Sequence, residues 1–243
     1  MTFLSRARDA LGLWPDPNDV EAVARMTAHQ WRRAARTKPS YLQGYRDRPG
    51  SPDRAQRRAE WIASLPIFER AASVTEVGCG CGRTLAALAR RHPHLALSGV
   101  DISTEALAVA ERTLAGMRHS GALRGAFTCV DLYDLSRDHV AADAVPAADV
   151  ILTVGVLGHL HPQVSVEVMR HLRARARTAL VMVEEFGAGE VLKGPRPWTP
   201  EQVTDDYALW RVPLNVPDTA AITRFPVPAD LQAPAAKEVV IWR

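Results

Sequence analysis

Residues 75–84 constrain the fold of this chain more than any other part of the sequence. They read TEVGCGCGRT, with glycines at positions 78, 80 and 82, and the helical pattern of Leu85, Leu88 and Ala89 follows. Glycine adopts positive φ angles and lets a ligand lie against the main chain. The sequence therefore predicts a strand, a tight turn and a helix N-terminus, arranged to bind a nucleotide-like cofactor.

Three acidic residues lie at or near the ends of successive predicted strands. Glu76 precedes the glycines, Asp101 closes LSGVD and Asp131 closes FTCVD. In an open parallel sheet the carboxyl ends of the strands share one edge, where ligands bind. Because carboxylate oxygens accept hydrogen bonds, these side chains are candidates for recognising hydroxyl and amine groups.

Strands and helices alternate from about residue 73 onward. Strands are predicted near residues 73–78, 95–100, 126–130, 149–154 and 179–184, with helical periods between them. This alternation predicts a doubly wound α/β fold, in which helices cover both faces of a mostly parallel sheet. Residues 1–70 are rich in arginine and helical in pattern, and we expect them to form an N-terminal helical cap.

The glycine segment and the three acids together resemble the class I S-adenosylmethionine-dependent methyltransferases, over roughly residues 70–186. The resemblance implies a Rossmann-like domain at 71–243, with a seven-stranded sheet ending in an antiparallel pair, and S-adenosyl-L-methionine as cofactor. It also implies that Asp101 binds the ribose and Asp131 the adenine amino group. The residues expected to bind the cofactor are Glu76, Gly78, Cys79, Gly80, Gly82, Asp101, Ile102, Asp131, Leu132 and Thr153.

Two alternatives to a methyltransferase stay open at this point. A nicotinamide-dependent oxidoreductase uses the spacing G-x-G-x-x-G, which differs from the G-x-G-x-G found here. A protein that binds S-adenosylmethionine without transferring its methyl group is the other alternative, because a fold does not fix a function. Cys79 and Cys81 form a C-x-C pair with no second pair at ligand spacing, so no metal site is predicted.

Two histidines follow the fourth predicted strand in the segment VLGHLHP at 156–162. Histidine exchanges a proton near neutral pH, and we predict that His159 is the catalytic base. Pro162 suits the first turn of a helix, which places His161 at its cap. The alternative for a histidine here is a hydrogen bond to the cofactor or the backbone. The residues predicted to contact substrate are Tyr41, Tyr45, His161 and Glu184.

The predicted activity is methylation of a small molecule in secondary or specialised metabolism, on the oxygen of a hydroxyl or a carboxylate. An in-line displacement needs the acceptor, the methyl carbon and the sulfur to be aligned in a water-poor site. We expect the cap and the loop after the fifth strand to enclose a small-molecule pocket. Trp31, with Tyr41 and Tyr45, is predicted either to form a lid or to pack the cap on the sheet.

Composition and charge exclude several other classes of protein. The net charge of +3 and the pI near 9.0 fall short of a nucleic-acid-binding signature. No apolar run has the length of a membrane span, and three cysteines without a secretory leader suggest a reducing compartment. We therefore expect a cytoplasmic monomer or homodimer.

Overall fold

The computed structural model describes residues 19–37, 54–117, 125–138, 140, 142–184, 203–204, 207–208, 221–231 and 238–243. Within these ranges a seven-stranded sheet forms the centre of the molecule and helices pack on both of its faces. The α/β, doubly wound and mostly parallel architecture predicted from the sequence is confirmed. The division into a cap at 1–70 and a domain at 71–243 stays a prediction.

The helices of the described ranges are α1 (Val20–Thr37), α2 (Arg54–Ala63), α3 (Arg83–Arg91), α4 (Thr104–Ala115), α5 (Leu132–Ser136) and α6 (Pro162–Arg175). The strands are β1 (Ser73–Val77), β2 (Ala96–Asp101), β3 (Phe127–Cys129), β4 (Ala148–Val154), β5 (Ala176–Glu184), β6 (Val203–Thr204), β7 (Tyr207–Ala208), β8 (Ile222–Pro226) and β9 (Glu238–Trp242). All five strands predicted by number are present. The largest difference is that β5 begins at residue 176 rather than 179.

The order of strands in the main sheet is β3-β2-β1-β4-β5-β9-β8. Strand β1 pairs in parallel with β2 on one side and β4 on the other, so the chain order reverses beside it. Strand β9 runs antiparallel to both β5 and β8, which confirms the expected antiparallel pair. Strands β6 and β7 form a separate two-stranded sheet. Ligands of doubly wound proteins bind at the point of reversal.

The central strands are buried on both faces, as expected for parallel strands covered by helices. Val74 of β1, Leu152 of β4 and Val181 of β5 are fully buried in one hydrophobic cluster. Val77 and Ile151 belong to a second cluster. Helices α2 and α3 pack in the first cluster and α6 in the second. This packing fixes the carboxyl edge of the sheet, where β1, β2 and β4 end together.

Helix α1 covers that carboxyl edge and supplies the described part of the predicted cap. Val23, Ala24, Ala28 and Ala35 are buried along one of its faces, at the helical spacing visible in the sequence. Two arginines of α1 pair with acidic residues beyond strands β2 and β3. In the portion of the chain that the structure describes, no helix combines the length and apolar character needed to cross a membrane.

Candidate active site

The glycine segment forms a tight turn between β1 and α3, as predicted. Gly78, Gly80 and Gly82 have φ angles of +71°, +51° and +77°, which favour glycine. A Cβ atom on Gly78 would lie 2.3 Å from Val156 Cγ2, and one on Gly82 would lie 2.9 Å from Ala110 Cβ. Gly78 therefore allows close approach to the turn after β4, whereas Gly82 lets α3 pack closely on α4.

A main cleft of about 950 Å³, including its opening to solvent, lies beyond the carboxyl ends of the strands. Helix α1 forms one wall with Thr27, Trp31 and three alanines, and the turn after β4 forms another. The predicted site residues that line this cleft are Gly78, Asp101, Ile102, Asp131, Leu132, His159 and His161. The structure thus brings together residues separated by more than 80 positions in the sequence.

A second cleft lies between α2 and the glycine turn, and it holds three further residues of the predicted set. Glu76, Cys79 and Gly80 line it, together with two arginines, Arg58 and Arg83. Gly78 and Val154 line both clefts, so the two meet at the first glycine. Gly82 lines neither of them.

Asp101 ends β2 with both carboxyl oxygens oriented by backbone amides. Its Oδ2 accepts a hydrogen bond from the Gly80 amide at 2.8 Å, and its Oδ1 accepts one from the Ser103 amide at 2.9 Å. Each carboxylate oxygen retains capacity for a further donor, such as a hydroxyl group. Burial raises the pKa of Asp101 above its ordinary value, against the effect of these amides.

Asp131 is the N-cap residue of helix α5 and also contacts helix α1. Its Oδ1 accepts a hydrogen bond from the Tyr133 amide at 3.0 Å, and its Oδ2 lies 3.2 Å from Arg32 Nη2 of α1. Burial raises the pKa of Asp131, although the Tyr133 amide and the Arg32 charge act in the opposite direction. Asp131, which is predicted to contact the adenine amino group, therefore already forms an ion pair with Arg32 of α1.

Glu76 lies buried beneath the glycine turn. Its carboxyl group is hydrogen-bonded to the Thr84 side chain and the Leu85 backbone, but Oε2 has no hydrogen-bond partner among the described residues. Burial raises the pKa of Glu76 to about 8, and the nearby Asp101 adds a smaller increase. A buried acceptor without a donor is costly, so this oxygen suits a ligand that brings its own donor.

The turn after β4 carries the two histidines. Gly155, with φ +65°, leads into a 3-10 turn at Leu157–His159. The His159 ring is half-buried and makes an edge contact with Trp31, with ring centroids 4.6 Å apart and planes at 72°. His161 is buried at the N-cap of α6, where its Nδ1 accepts a hydrogen bond from the Gln163 amide at 3.3 Å. The predicted capping position of His161 is confirmed.

Several predicted site residues lie away from the main cleft or outside the described ranges. Thr153 is fully buried in β4 between Val77 and Met182 and lines neither cleft. Glu184 is buried at the end of β5, where its carboxyl oxygens accept from the Val156 amide. Tyr41 and Tyr45 lie outside the described residues. The ligand-binding roles of these residues stay predictions.

The cysteines of the glycine turn are buried free thiols. Burial raises the pKa of Cys79 and of Cys81, so both thiols stay protonated near neutral pH. Among the residues that the structure describes, no group of three His, Cys, Asp or Glu side chains is arranged to hold a metal ion. The thiols are therefore best described as small side chains that fill the turn.

Helix α1 supplies cleft residues that the predicted site omitted. Thr27 lines the main cleft, and its buried hydroxyl has no hydrogen-bond partner in the described ranges. Arg32 reaches Asp131, 99 positions further along the chain. The helical period around Thr27 and Trp31 indicated a buried face. Nothing local to the sequence indicated that this face would meet the carboxyl edge of the sheet.

Comparison with known proteins identifies the domain. A family model described as "Methyltransferase domain" matches residues 75–178. The trans-aconitate 2-methyltransferase of Azoarcus sp. (strain BH72) is 26% identical over 199 residues, which cover 79% of this chain and 67% of that protein. The segment that the family model matches contains the glycine turn, Asp101, Asp131, His159 and His161.

Solved structures show the same fold at low sequence identity. An O-methyltransferase family protein from Burkholderia thailandensis is 19% identical with a TM-score of 0.54, and the match covers 78% of this chain but only 56% of that one. Magnesium protoporphyrin IX methyltransferase from Synechocystis PCC 6803, solved with S-adenosylmethionine bound, is 13% identical with a TM-score of 0.57, covering 89% and 97% of the two chains. Together with the match of residues 75–178 to a methyltransferase domain, the glycine turn and the acids at the strand ends support a class I S-adenosylmethionine-dependent methyltransferase.

Proposed function

We propose that this protein transfers a methyl group from S-adenosylmethionine to an oxygen atom of a small organic molecule. The cofactor supplies a methyl group bonded to a positively charged sulfur. The observation that carries the proposal is one cleft that contains a titratable histidine, His159, beside the residues expected to hold the cofactor. The structural task of the chain is to align the acceptor and exclude water.

The residues present fit this cofactor. Gly78 lines the cleft without a side chain, and Asp101 and Asp131 line the same cleft with carboxyl oxygens oriented by backbone amides. The orphaned Oε2 of Glu76 in the adjoining cleft suits a donor on the ligand. We infer that Asp101 holds the ribose hydroxyls and that Asp131 accepts from the adenine amine.

A small acceptor is favoured by the way that α1 closes the main cleft. Trp31 and Thr27 line the cleft together with the turn that carries His159, so helix α1 narrows the space beside the histidine. Enclosed sites of this kind suit small molecules better than polymers. The relative from Azoarcus is named for trans-aconitate, a small organic acid, which agrees with this class of acceptor.

His159 is proposed as the general base for a hydroxyl acceptor. It lies half-buried at the cleft wall, where its ring makes an edge contact with Trp31. An alcohol must lose its proton during attack, and a positioned histidine accelerates such a step by about 10²–10⁴-fold. A carboxylate acceptor is already ionised, so it needs no base.

The test combines binding with turnover. Calorimetry measures the affinity of the protein for S-adenosylmethionine and for S-adenosylhomocysteine. The protein is then incubated with S-adenosylmethionine that carries a labelled methyl group and with a panel of alcohols, phenols and carboxylic acids. We expect label in an oxygen-linked methyl group. His159→Gln should lower kcat for a hydroxyl acceptor by about 10²-fold or more, and affinity for S-adenosylhomocysteine should change by less than about threefold.

His171→Gln is the matched control, because His171 lies on α6 near Asp138 and outside both clefts. It should leave turnover and binding close to wild type. Binding of S-adenosylhomocysteine without label in any acceptor would favour a binding protein over a transferase. Stabilisation by a nicotinamide dinucleotide instead of S-adenosylhomocysteine would contradict the proposal.

A further inference from the structure

Strand β5 ends on a buried acidic side chain that the proposed chemistry does not use. Glu184 is 1% exposed and lines neither of the two clefts. Removing a carboxyl group from water is unfavourable unless protein hydrogen bonds replace those to solvent. The contacts of Glu184 therefore indicate why the chain keeps an acid at this position.

The carboxyl group of Glu184 continues the β4–β5 ladder after β4 has ended. The last parallel pair is Val154 with Val183, and the Gly155 amide then donates to the Val183 carbonyl at 2.9 Å. At Gly155 the chain turns away from the sheet with a φ of +65°. Both carboxyl oxygens of Glu184 lie 3.0 Å from the next amide nitrogen, that of Val156. The side chain thus supplies the acceptor that a strand carbonyl would otherwise provide.

Val156 connects this bond to the cleft. Its side chain lies directly over Gly78, since a Cβ atom built there would be 2.3 Å from Val156 Cγ2. Its carbonyl accepts a hydrogen bond from the His159 amide at 3.0 Å. A displacement of Val156 would therefore change the cleft wall beside Gly78 and the position of the His159 ring together.

We propose that Glu184 is a positioning residue that acts through Val156. It anchors the turn at residues 155–159 against the glycine turn and sets where His159 stands in the main cleft. A role of Glu184 in catalysis rests on the proposed function of His159 as the base. The placement itself is independent of turnover, so it is measurable without an acceptor.

The test uses the full-length protein labelled with ¹³C-histidine, with the His159 ring signal assigned by its loss in His159→Gln. Glu184→Met keeps the length of the side chain and removes the acceptor. We expect it to shift the His159 signal and its titration midpoint, and to weaken binding of S-adenosylhomocysteine by about tenfold. Glu184→Gln keeps an acceptor oxygen and should restore the signal, with affinity within about threefold of wild type.

Asp149→Leu is the matched control, because Asp149 also bonds a backbone amide, that of Ala72, but at the opposite edge of the sheet. It should lower the melting temperature and leave the His159 signal in place. An unchanged His159 signal in E184M, equal shifts in E184M and E184Q, or an equal shift in D149L would each overturn the inference. Should E184M fail to fold, Glu184→Asp withdraws the carboxyl group from Val156 and allows the same comparison. Failure of the wild-type protein to bind S-adenosylhomocysteine would instead contradict the proposed function.

Discussion

The two edges of the sheet use acidic side chains in opposite ways. At the amino edge, Asp149 accepts hydrogen bonds from the Ala72 amide at 2.7 Å and from Arg177 Nε at 2.8 Å, and these bonds lower its pKa. At the carboxyl edge, burial raises the pKa of Glu76 and of Asp101. One edge holds a carboxylate in its preferred charged state, whereas the other holds acids in surroundings that disfavour charge.

This difference indicates which edge is built for stability and which for binding. A carboxylate with an amide and a guanidinium as partners stabilises the folded chain directly. A buried carboxyl group with an unpartnered oxygen, such as Glu76 Oε2, destabilises it until a ligand supplies a donor. Strained or unsatisfied groups concentrate at functional sites for this reason. Substitutions at each edge test this contrast.

The largest effect is expected from Gly78→Ala at the carboxyl edge. A side chain there meets both a positive φ and the Val156 side chain at 2.3 Å, so the cleft wall must move. We expect affinity for S-adenosylhomocysteine, measured by calorimetry, to fall by about 10³-fold. Gly116→Ala is the control, since its nearest contact would be an ordinary 3.7 Å. Tight binding by a folded G78A protein would contradict the close approach inferred here.

Glu76→Gln tests the raised pKa at the same edge. Folded Glu76 has a pKa of about 8 against 4.5 for the free group, so between these values the folded protein holds a proton that the unfolded chain has lost. The wild type should therefore lose stability as pH rises from 5 to 9, and E76Q should lose about 4 kcal/mol less of its free energy of unfolding over that range. Urea unfolding at pH 5, 7 and 9 measures the difference.

The control for this titration is Glu60→Gln, which changes an exposed acid on α2. The difference in free energy of unfolding between E60Q and wild type should vary by no more than about 0.5 kcal/mol over the same pH range. Parallel pH profiles for E76Q and wild type would show that Glu76 ionises normally and would remove the contrast between the edges.

Asp101→Asn is expected to have an intermediate effect. The amide replaces one acceptor oxygen by a donor and so opposes either the Gly80 or the Ser103 amide. Affinity for S-adenosylhomocysteine should fall by about 10–30-fold, as calorimetry would show. Glu105→Gln is the control, because Glu105 is a more exposed acid on the next helix. Its affinity for S-adenosylhomocysteine should stay within about twofold of wild type. Equal affinities for D101N and wild type would exclude Asp101 from the ribose site.

The smallest effect is expected at the amino edge. Asp149→Asn weakens the bonds to Ala72 and Arg177, and should lower the free energy of unfolding by about 1 kcal/mol at pH 7. Because the folded pKa is lowered, this contribution is present at neutral pH and is lost as pH falls through that pKa. Cofactor affinity should be unaffected. A loss of affinity comparable to that of D101N would show that the two edges are not separate in function.

The sequence predicted the parts of the site that follow from local chemistry. The positions of a glycine turn after a strand and of an acid at a strand end follow from the strand itself. Gly78, Asp101 and Asp131 therefore line one cleft, as expected. Thr153 shows the limit of such reasoning. In a strand covered on both faces, apolar and polar positions do not alternate, and the sequence does not indicate which side chains point toward the cleft.

The contacts that connect distant segments were beyond local reasoning. Arg32 reaches Asp131 and Glu184 reaches Val156, and each pair depends on how whole elements pack. The acid at the end of β5 was predicted to contact substrate because it shares an edge with the other acids. The structure shows that its carboxyl group accepts a hydrogen bond from the Val156 amide of a neighbouring turn, and its contact with substrate stays a prediction.

The insertion of β9 between β5 and β8 has a consequence for how the chain reaches its native state. Among the residues that the structure describes, β8 pairs in the main sheet with β9 alone, so it joins that sheet through β9. On a ribosome the five parallel strands emerge first, and β5 presents an unpaired edge until residues 238–242 have been synthesised. Exposed edges of this kind invite pairing with other chains. The partly synthesised chain is thus vulnerable to pairing at the β5 edge until β9 has been made.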